Sequence, residues 1–157
     1  MEWYVSNRDV IKNLSVNTGT TQNPVFTNMC TISECTLNSD NEQKDFYVFC
    51  DAIRRSVITG TSLSLNTTVK LDINNTAIQT ILDNIHALIE TGEIAQFNNQ
   101  LIQFELLEDV TGGVLTYSKY QVPCIMNFSD LGGNAEDEGE FGLELVFNGK
   151  GTKVTSA

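Results

Sequence analysis

Apolar residues recur with helical spacing over residues 74–92 and nowhere else as clearly. At 100° per residue, the aliphatic side chains fall in one continuous arc and polar side chains occupy the rest of the circle. Asn74 or Asn75 can cap the first amides, and Gly92 can take the left-handed conformation that ends a helix. We therefore predict one amphipathic helix over about residues 75–91, lying on a sheet. Its predicted packing face is Ile78, Ile81, Leu82, Ile85, Leu88 and Ile89.

The first half of the chain shows the alternation that is typical of β-strands. Residues 25–37 and 46–50 predict two strands, and the polar stretch 38–44 (NSDNEQK) predicts a turn between them. Residues 55–71 alternate most clearly, with mainly apolar odd positions and small or hydroxylic even positions. Since this run far exceeds the usual five or six residues, we expect it to bend at Gly60 or to project beyond the domain body.

The second half predicts a hairpin, an acidic loop and a final strand. Residues 100–108 and 114–130 flank a glycine-bearing turn, and Pro123 marks a place where the strand ladder is open or bulged. Residues 131–140 (LGGNAEDEGE) predict a loop, because two glycines and four acids disfavour a strand. In the longer arm of the hairpin, the inward set is Tyr120, Val122, Cys124, Met126 and Phe128. In the last strand, apolar residues alternate with the others: Phe141, Leu143, Leu145 and Phe147 stand between Gly142, Glu144, Val146 and Asn148.

These elements predict one mainly β domain of the α+β class. We expect an antiparallel β-sandwich or partly open β-barrel over residues 25–152, with the helix on its flank and long projecting strands or hairpins. Residues 1–24 are too broken in pattern for a regular element and are interpreted as an N-terminal arm. Residues 153–157 are interpreted as a C-terminal tail that is free unless a partner orders it.

Net charge narrows the functional classes. Nine Lys and Arg stand against 20 Asp and Glu, for a formal charge of −11, which argues against sequence-specific nucleic-acid binding and against anionic membranes. No apolar run is long enough to span a bilayer, and the first residues lack the pattern of a secretion signal. We therefore expect the chain to be made in a cytoplasm.

The residues that could carry chemistry do not form a recognisable site. Cys30, Cys35, Cys50 and Cys124 form no C-x-x-C pair, and we interpret them as small buried side chains. His86 could act as a base but has no accompanying nucleophile motif, so it is interpreted as a boundary residue of the helix. The acidic run lacks the spacing of a calcium loop. No catalytic residue, metal or cofactor is predicted.

The succession of parts resembles the tail tube (major tail) proteins of long-tailed bacteriophages. The resemblance rests on KDFYVFC at 44–50, SVITGTSLSLNTTVKL at 56–71, the single amphipathic helix, the long hairpin, and EFGLELVFNGKGT at 140–152. It implies a β-sandwich or barrel flanked by a helix, hexameric rings, and stacking of those rings into a hollow tube. Tubes of contractile tails and of type VI secretion systems are built alike, so they remain an alternative.

The resemblance also implies surfaces, partners and a location. The expected lumen face is the even side of the long strand: Ser56, Ile58, Gly60, Ser62, Ser64, Asn66 and Thr68. The expected inter-ring loop carries Glu136, Asp137, Glu138 and Glu140. The chain would bind itself, with tape measure, tail terminator and baseplate proteins as further candidate partners, and DNA would pass without sequence-specific binding. This places it in the virion tail, as a structural protein and not an enzyme; a β-rich adhesin or receptor-binding module is a further alternative.

Overall fold

A single antiparallel sheet forms the body of the protein in the computed structural model, which describes residues 4–20, 22–48, 51–98 and 100–154. The strands run in the order β2-β1-β5-β6-β7-β4-β3, and β8 pairs with β6 beside this path. Their bounds are β1 Ile11–Asn17, β2 Phe26–Asn28, β3 Ile32–Val48, β4 Asp51–Lys70, β5 Gln100–Thr111, β6 Val114–Ser129, β7 Glu140–Phe147 and β8 Thr152–Val154. The predicted mainly β, α+β class is confirmed.

The sheet is not closed into a barrel, although its two ends are linked. β2, at one end of the sheet, is followed directly in the chain by β3, at the other end. The residues that link these two strands form backbone hydrogen bonds with strands at both ends of the sheet. The Met29 amide donates to the Leu14 carbonyl at 3.0 Å, and the Lys70 amide donates to the Thr31 carbonyl at 3.0 Å. Below the link, a groove lined by residues of both β1 and β3 separates these strands. The described strands therefore form one open antiparallel sheet whose two ends are connected by this link.

Helix α1 (Thr76–Thr91) has the ends that the sequence predicts. The Asn75 side chain accepts bonds from the amides of Ala77 and Ile78, and Gly92 ends the helix with φ 72°. Ala77, Ile78, Ile81 and Ile85 are buried in the core, and Leu82 and Leu88 pack against it. Ile89 is 75% exposed, so its assignment to the packing face is wrong. It lies at the edge of the apolar arc in the last turn, where the helix leaves the core.

A short second helix, α2 (Ala95–Asn98), has no counterpart in the sequence prediction. Four residues are too few to show a helical period, so the pattern gave no signal. Phe97 of this helix is buried, and its ring centroid lies 5.8 Å from that of Phe128.

The predicted irregular N-terminal arm is wrong over Ile11–Asn17, which forms β1 inside the sheet. This strand pairs with both β2 and β5, and it buries Leu14, Ser15 and Val16. The alternation is hidden because Asn13 has φ 54° and the register with β5 shifts between Lys12 and Ser15. A bulge of this kind places successive residues on one face, which a search for period two misses.

The predicted turn at residues 38–44 is also wrong. These residues form the middle of β3 and pair one for one with β4 from Ser64 to Val57, apart from one skipped residue. The described ladder of the hairpin continues to the pair Val48 and Asp51, and residues 49–50 of the predicted strand 46–50 lie outside the described residues. Residues 39–47 are exposed on both faces of the hairpin, so their strand needs no apolar alternation.

The second hairpin and the last strand agree with the sequence. β5 and β6 meet at Gly112 and Gly113, whose positive φ angles of 58° and 81° favour glycine. Pro123, which has no amide hydrogen to donate, lies between the β6 residues that pair with β7 and those that pair with β8. The prediction of a free C-terminal tail is wrong over Lys153 and Val154, because both belong to β8, which pairs with residues 119–121 of β6.

Candidate assembly surfaces

The β3–β4 hairpin extends well beyond the body of the domain. β4 pairs with β7 only from Ser64 to Lys70, and its remaining described residues pair with β3 alone. Side chains 39–47 and 54–59 are all exposed. They include apolar residues, with Tyr47 70% and Ile58 56% exposed and Phe46 and Val57 also in solvent. Exposed aromatic and aliphatic side chains at the end of a projecting arm are typical of a contact surface.

A one-residue bulge divides the predicted lumen face. Gly60 lies opposite Glu42, but the next pair is Ile58 with Gln43, so Thr59 has no partner residue. Because consecutive residues of β3 point to opposite faces, Gly60 and Ile58 also point to opposite faces. Ser62, Ser64, Asn66 and Thr68 share the face of Gly60, whereas Ser56 and Ile58 lie on the other face. The seven predicted residues therefore do not form one surface.

The face that Gly60 shares continues across four strands, and we call it the outer polar face. Leu65, Leu143 and Met126 point from β4, β7 and β6 into the core, and the residues between them point outward. Ile125 and Val146, half-buried, are its apolar members. Its polar members are Glu34, Thr36, Asn38, Asp40, Glu42, Ser62, Ser64, Asn66, Thr68, Asn127, Ser129 and Glu144, and the Lys70–Glu140 ion pair lies at its edge.

Sequence reasoning found only the β4 part of this outer polar face. Asp40 and Glu42 were missed because a turn was predicted in the middle of β3. Glu144 was missed because no surface was assigned to the residues between the apolar positions of β7. The alternation of β7 did carry a signal, since Gly142 and Glu144 stand between buried residues. The face carries four carboxylates, which repel the phosphate groups of nucleic acid.

Basic residues lie at the two ends of the long strand, as the sequence indicates. At the turn of the β3–β4 hairpin, Arg54 Nη1 lies 3.4 Å from Asp45 Oδ2, and the Ser56 hydroxyl donates a hydrogen bond to the same carboxylate. These three residues lie on the face opposite the outer polar face. Arg55 pairs in register with Phe46. At the other end, Lys70 Nζ lies 2.7 Å from Glu140 Oε2, and this hydrogen bond raises the pKa of Lys70.

The acidic loop contains an internal turn and is tied to the sheet at its C-terminal end. The Gly139 carbonyl accepts from the Leu71 amide at 2.9 Å, and Asn134 accepts from the amides of Glu136 and Asp137. Glu140 is engaged by Lys70 as the first residue of β7. Glu136, Asp137 and Glu138 are exposed, so three of the four predicted inter-ring acids are displayed and the fourth belongs to an ion pair.

The residues considered for chemistry are dispersed. Cys124 and Cys35 lie in apolar surroundings, and burial raises the pKa of the Cys124 thiol to about 12 and that of Cys35 to about 11. Cys30 is exposed rather than buried, and Cys50 lies outside the described residues. His86 is exposed, more so than the predicted boundary position. Among the described residues, no three His, Cys, Asp or Glu side chains are grouped to hold a metal ion.

The described part of the chain contains no helix that is both long and apolar enough to cross a membrane.

The sequence matches no protein-family model and has no significant match among curated proteins. Solved structures, in contrast, match over nearly the whole chain. A chain in the tail of an empty gene transfer agent particle, refined with C6 symmetry, is similar with a TM-score of 0.63 at 11% identity, covering 97% of this chain and 100% of that one.

Two further structures share the fold. A chain in the virion of a native gene transfer agent has a TM-score of 0.54 at 14% identity, covering 91% of this chain and 96% of that one. A chain in the six-fold symmetrised baseplate of the anti-feeding prophage has a TM-score of 0.54 at 14% identity, covering 98% and 97%. At these identities the likeness establishes the fold, and the predicted resemblance to tail proteins is confirmed at that level.

Proposed function

We propose that this chain is the structural subunit of a phage tail tube. It assembles with itself into hexameric rings that stack into a tube, and DNA passes through the lumen during ejection. The function is mechanical, so the subunit needs no catalytic residue and no cofactor. The tube belongs to the virion tail and meets tape measure, terminator and baseplate proteins at its two ends.

The observation that carries this proposal is the outer polar face beside the projecting hairpin. A face made of small hydroxylic residues and carboxylates, spread over four adjacent strands, is suited to a smooth lumen that does not hold DNA. Because of the bulge at Thr59, the proposed lumen set keeps only Gly60, Ser62, Ser64, Asn66 and Thr68 of β4, to which Asp40, Glu42 and Glu144 are added from the neighbouring strands.

The exposed strand edges support self-assembly. The outer edge of β3 is the end of the sheet, and β4 lacks a second partner before Ser64. Unpaired edges of this length recruit further strands, and a closed ring of subunits removes them. The shared fold with a chain of a C6-symmetric tail supports a six-fold ring in particular.

A second candidate function is the inner tube of a contractile injection apparatus. The similarity to a chain in the anti-feeding prophage baseplate favours it, because that chain shares the fold at nearly full length. The two functions differ in what the tube contains and in whether a sheath surrounds it. Both require the same ring, so the first experiment addresses the ring.

Negative-stain electron microscopy of concentrated purified protein tests the proposal. We expect rings and stacked tubes with a central channel. In the test variant, Asn-Gly replaces residues 41–61 and connects Asp40 to Ser62 by a two-residue turn. Asp40 and Ser62 are cross-strand partners, so this short turn fits the ladder. This variant should remain folded, because none of the removed side chains that the structure describes belongs to the core, and it should form no ring.

A matched control changes the surface elsewhere. Glu90→Gln with Glu93→Gln alters exposed residues at the end of the helix and should leave rings unchanged. A wild-type protein that stays monomeric at every concentration and salt would contradict the proposed function and favour the adhesin alternative.

A further inference from the structure

The only Asn-Gly sequence in the chain stands directly after β7, at Asn148 and Gly149. The Asn148 amide donates to the Pro123 carbonyl at 2.9 Å, which continues the β6–β7 ladder by one bond. The side chain of Asn148 is exposed, and so is Gly149. Within the described part of the chain, neither that side chain nor the Gly149 amide forms a hydrogen bond. An unengaged side-chain amide therefore lies next to an unengaged main-chain N–H.

Position 149 favours glycine for two reasons. Its φ angle is 144°, which residues with a Cβ atom rarely adopt. A Cβ atom added there would also lie 3.3 Å from Pro123 Cγ. We call Gly149–Gly151 the strap, because it connects β7 to β8 alongside β6. The strap is close to β6 at its other end as well, where a Cβ atom on Gly151 would lie 2.9 Å from Val122 Cγ2.

A glycine after an asparagine permits a reaction between the two residues. The Gly149 nitrogen attacks Asn148 Cγ, and the new C–N bond closes a five-membered succinimide ring. The Cγ–Nδ2 bond breaks, and Nδ2 leaves as ammonia with the proton from the Gly149 amide. This reaction needs no oxidant and no enzyme, and a glycine nitrogen is the least shielded nucleophile for it because glycine has no Cβ atom.

Water then opens the ring at one of its two carbonyl carbons. Breaking the bond between Asn148 Cγ and the Gly149 nitrogen gives aspartate at position 148. Breaking the bond between the main-chain carbonyl carbon and that nitrogen gives isoaspartate, in which the backbone runs through the former side chain. Both products add one negative charge, and isoaspartate also lengthens the backbone by one methylene.

Two other exposed asparagines provide a comparison within the same chain. Asn134 precedes Ala135, and its side-chain oxygen accepts a hydrogen bond from the Glu136 amide. Asn38 precedes Ser39 within the ladder between β3 and β4. In both cases the following residue has a Cβ atom that crowds its nitrogen, so exposure alone does not make these asparagines equivalent to Asn148.

We propose that Asn148 is a site of spontaneous modification, and that isoaspartate formed there weakens the pairing of β8 with β6. Three residue pairs hold β8, together with an exposed ion pair of Lys153 with Glu108 at 3.8 Å, and exposed ion pairs contribute little. An additional methylene at the start of the strap displaces Gly149 and Gly151, which have no room to move toward β6. This modification goes beyond the proposed function and does not depend on assembly.

Peptide mapping by mass spectrometry tests the site, with purified protein sampled during incubation in warm, mildly alkaline buffer. The peptide that contains Asn148 should gain the mass difference between an acid and an amide roughly tenfold faster than those with Asn134 or Asn38, because neither of these precedes glycine. Electron-transfer fragmentation should identify isoaspartate at position 148. The matched control, Asn148→Gln, keeps an exposed amide but would need a six-membered ring, so it should stay unmodified. Equal rates at Asn148 and Asn134 would overturn the modification site.

Hydrogen exchange tests the effect on β8, after chromatography has separated the isoaspartate form. The amides of β8 should exchange about tenfold faster in this form than in the unmodified protein, whereas those of β5 should not change. Freshly purified Asn148→Asp carries the same charge without the additional methylene, so it should protect β8 as the wild type does. Equal protection of β8 in the two forms, or an equal loss in Asn148→Asp, would overturn the effect of the longer backbone.

Discussion

Gly60 of β4 lies directly across from Glu42 of β3, and a Cβ atom added at Gly60 would lie 4.0 Å from Glu42 Oε2. The next pair, Ile58 with Gln43, skips Thr59, so the long strand changes phase at this point. The body side of the bulge keeps hydroxylic residues on the outer polar face. On the hairpin side of the bulge, the even-numbered residues of β4 lie on the opposite face, which places Arg54 and Ser56 beside Asp45.

Deletion of Thr59 tests the role of this bulge. The deletion leaves every cross-strand pair of β3 and β4 in place and removes only the unpaired residue, so the arm should lose its local bend and added twist. We expect an unchanged melting temperature, because Thr59 is exposed and lies outside the core, together with loss of ordered tubes. Circular dichroism and electron microscopy measure the two effects. A Thr59→Ser variant, which keeps the bulge, is the control, and normal tubes from the deletion variant would count against a role in assembly.

The helix gives a prediction on stability with an internal control. Ile85 is 5% exposed and Ile89 is 75% exposed, although both lie in the same apolar arc one turn apart. Ile85→Asp buries an unpaired carboxylate and should lower the free energy of unfolding by several kcal/mol, about the whole stability of a domain. Ile89→Asp should change it by less than about 0.5 kcal/mol, as is usual for exposed positions. Urea denaturation measures both, and equal effects would contradict the position of the helix.

Sequence reasoning succeeded where the signal was local. The helix, its cap at Asn75 and its end at Gly92 follow from residues within one segment, and so does the glycine turn at Gly112. β1 was missed because its bulge near Asn13 is set by pairing with β5. The centre of β3 was missed because a hairpin in solvent on both faces shows no apolar alternation. β8 is held by tertiary pairing with β6, and its three residues carry no pattern of their own.

The outer polar face was predicted in part for the same reason. Its β4 residues show clear alternation, so Ser62 and Ser64 could be assigned from the sequence. The acids of β3 and β7 join them through cross-strand register, which no single segment encodes. The phase change at Thr59 also depends on register, and it removed Ser56 and Ile58 from the predicted surface.

Charge on the outer polar face should control contact with DNA. Asp40→Asn, Glu42→Gln and Ser62→Lys together remove two negative charges and add one positive charge per copy. Because these side chains point away from the core, we expect normal folding and normal rings. Assembled tubes of this variant should retain double-stranded DNA with an affinity that falls as salt rises, whereas wild-type tubes should not.

Filter retention at several salt concentrations measures this effect on DNA. The control carries Glu90→Gln, Glu93→Gln and Thr91→Lys, the same change of charge at exposed positions on the helix side. Equal retention by the two variants would show that the outer polar face does not line the channel.

The three described cysteines should differ in reactivity because their burial differs. Burial raises the pKa of Cys124 to about 12 and that of Cys35 to about 11, whereas Cys30 is exposed. In a Cys50→Ser background at pH 8, iodoacetamide should modify Cys30 first, since the thiolate is the reactive form. Mass spectrometry should find Cys124 modified only as fast as the chain unfolds. Rapid modification of Cys124 in the folded protein would contradict its position in the core.

The same raised pKa values predict a loss of stability in alkali. The folded state keeps these thiols neutral, whereas the unfolded chain ionises them above its ordinary pKa of about 8.5. Their contribution is therefore fully present below that pH and is lost as the pH rises from about 9 through 11 for Cys35 and through 12 for Cys124. Urea unfolding at pH 7.5 and pH 10 should show a lower midpoint at pH 10. Cys124→Ala should reduce the difference between the two midpoints, and an unchanged difference would show that other groups cause it.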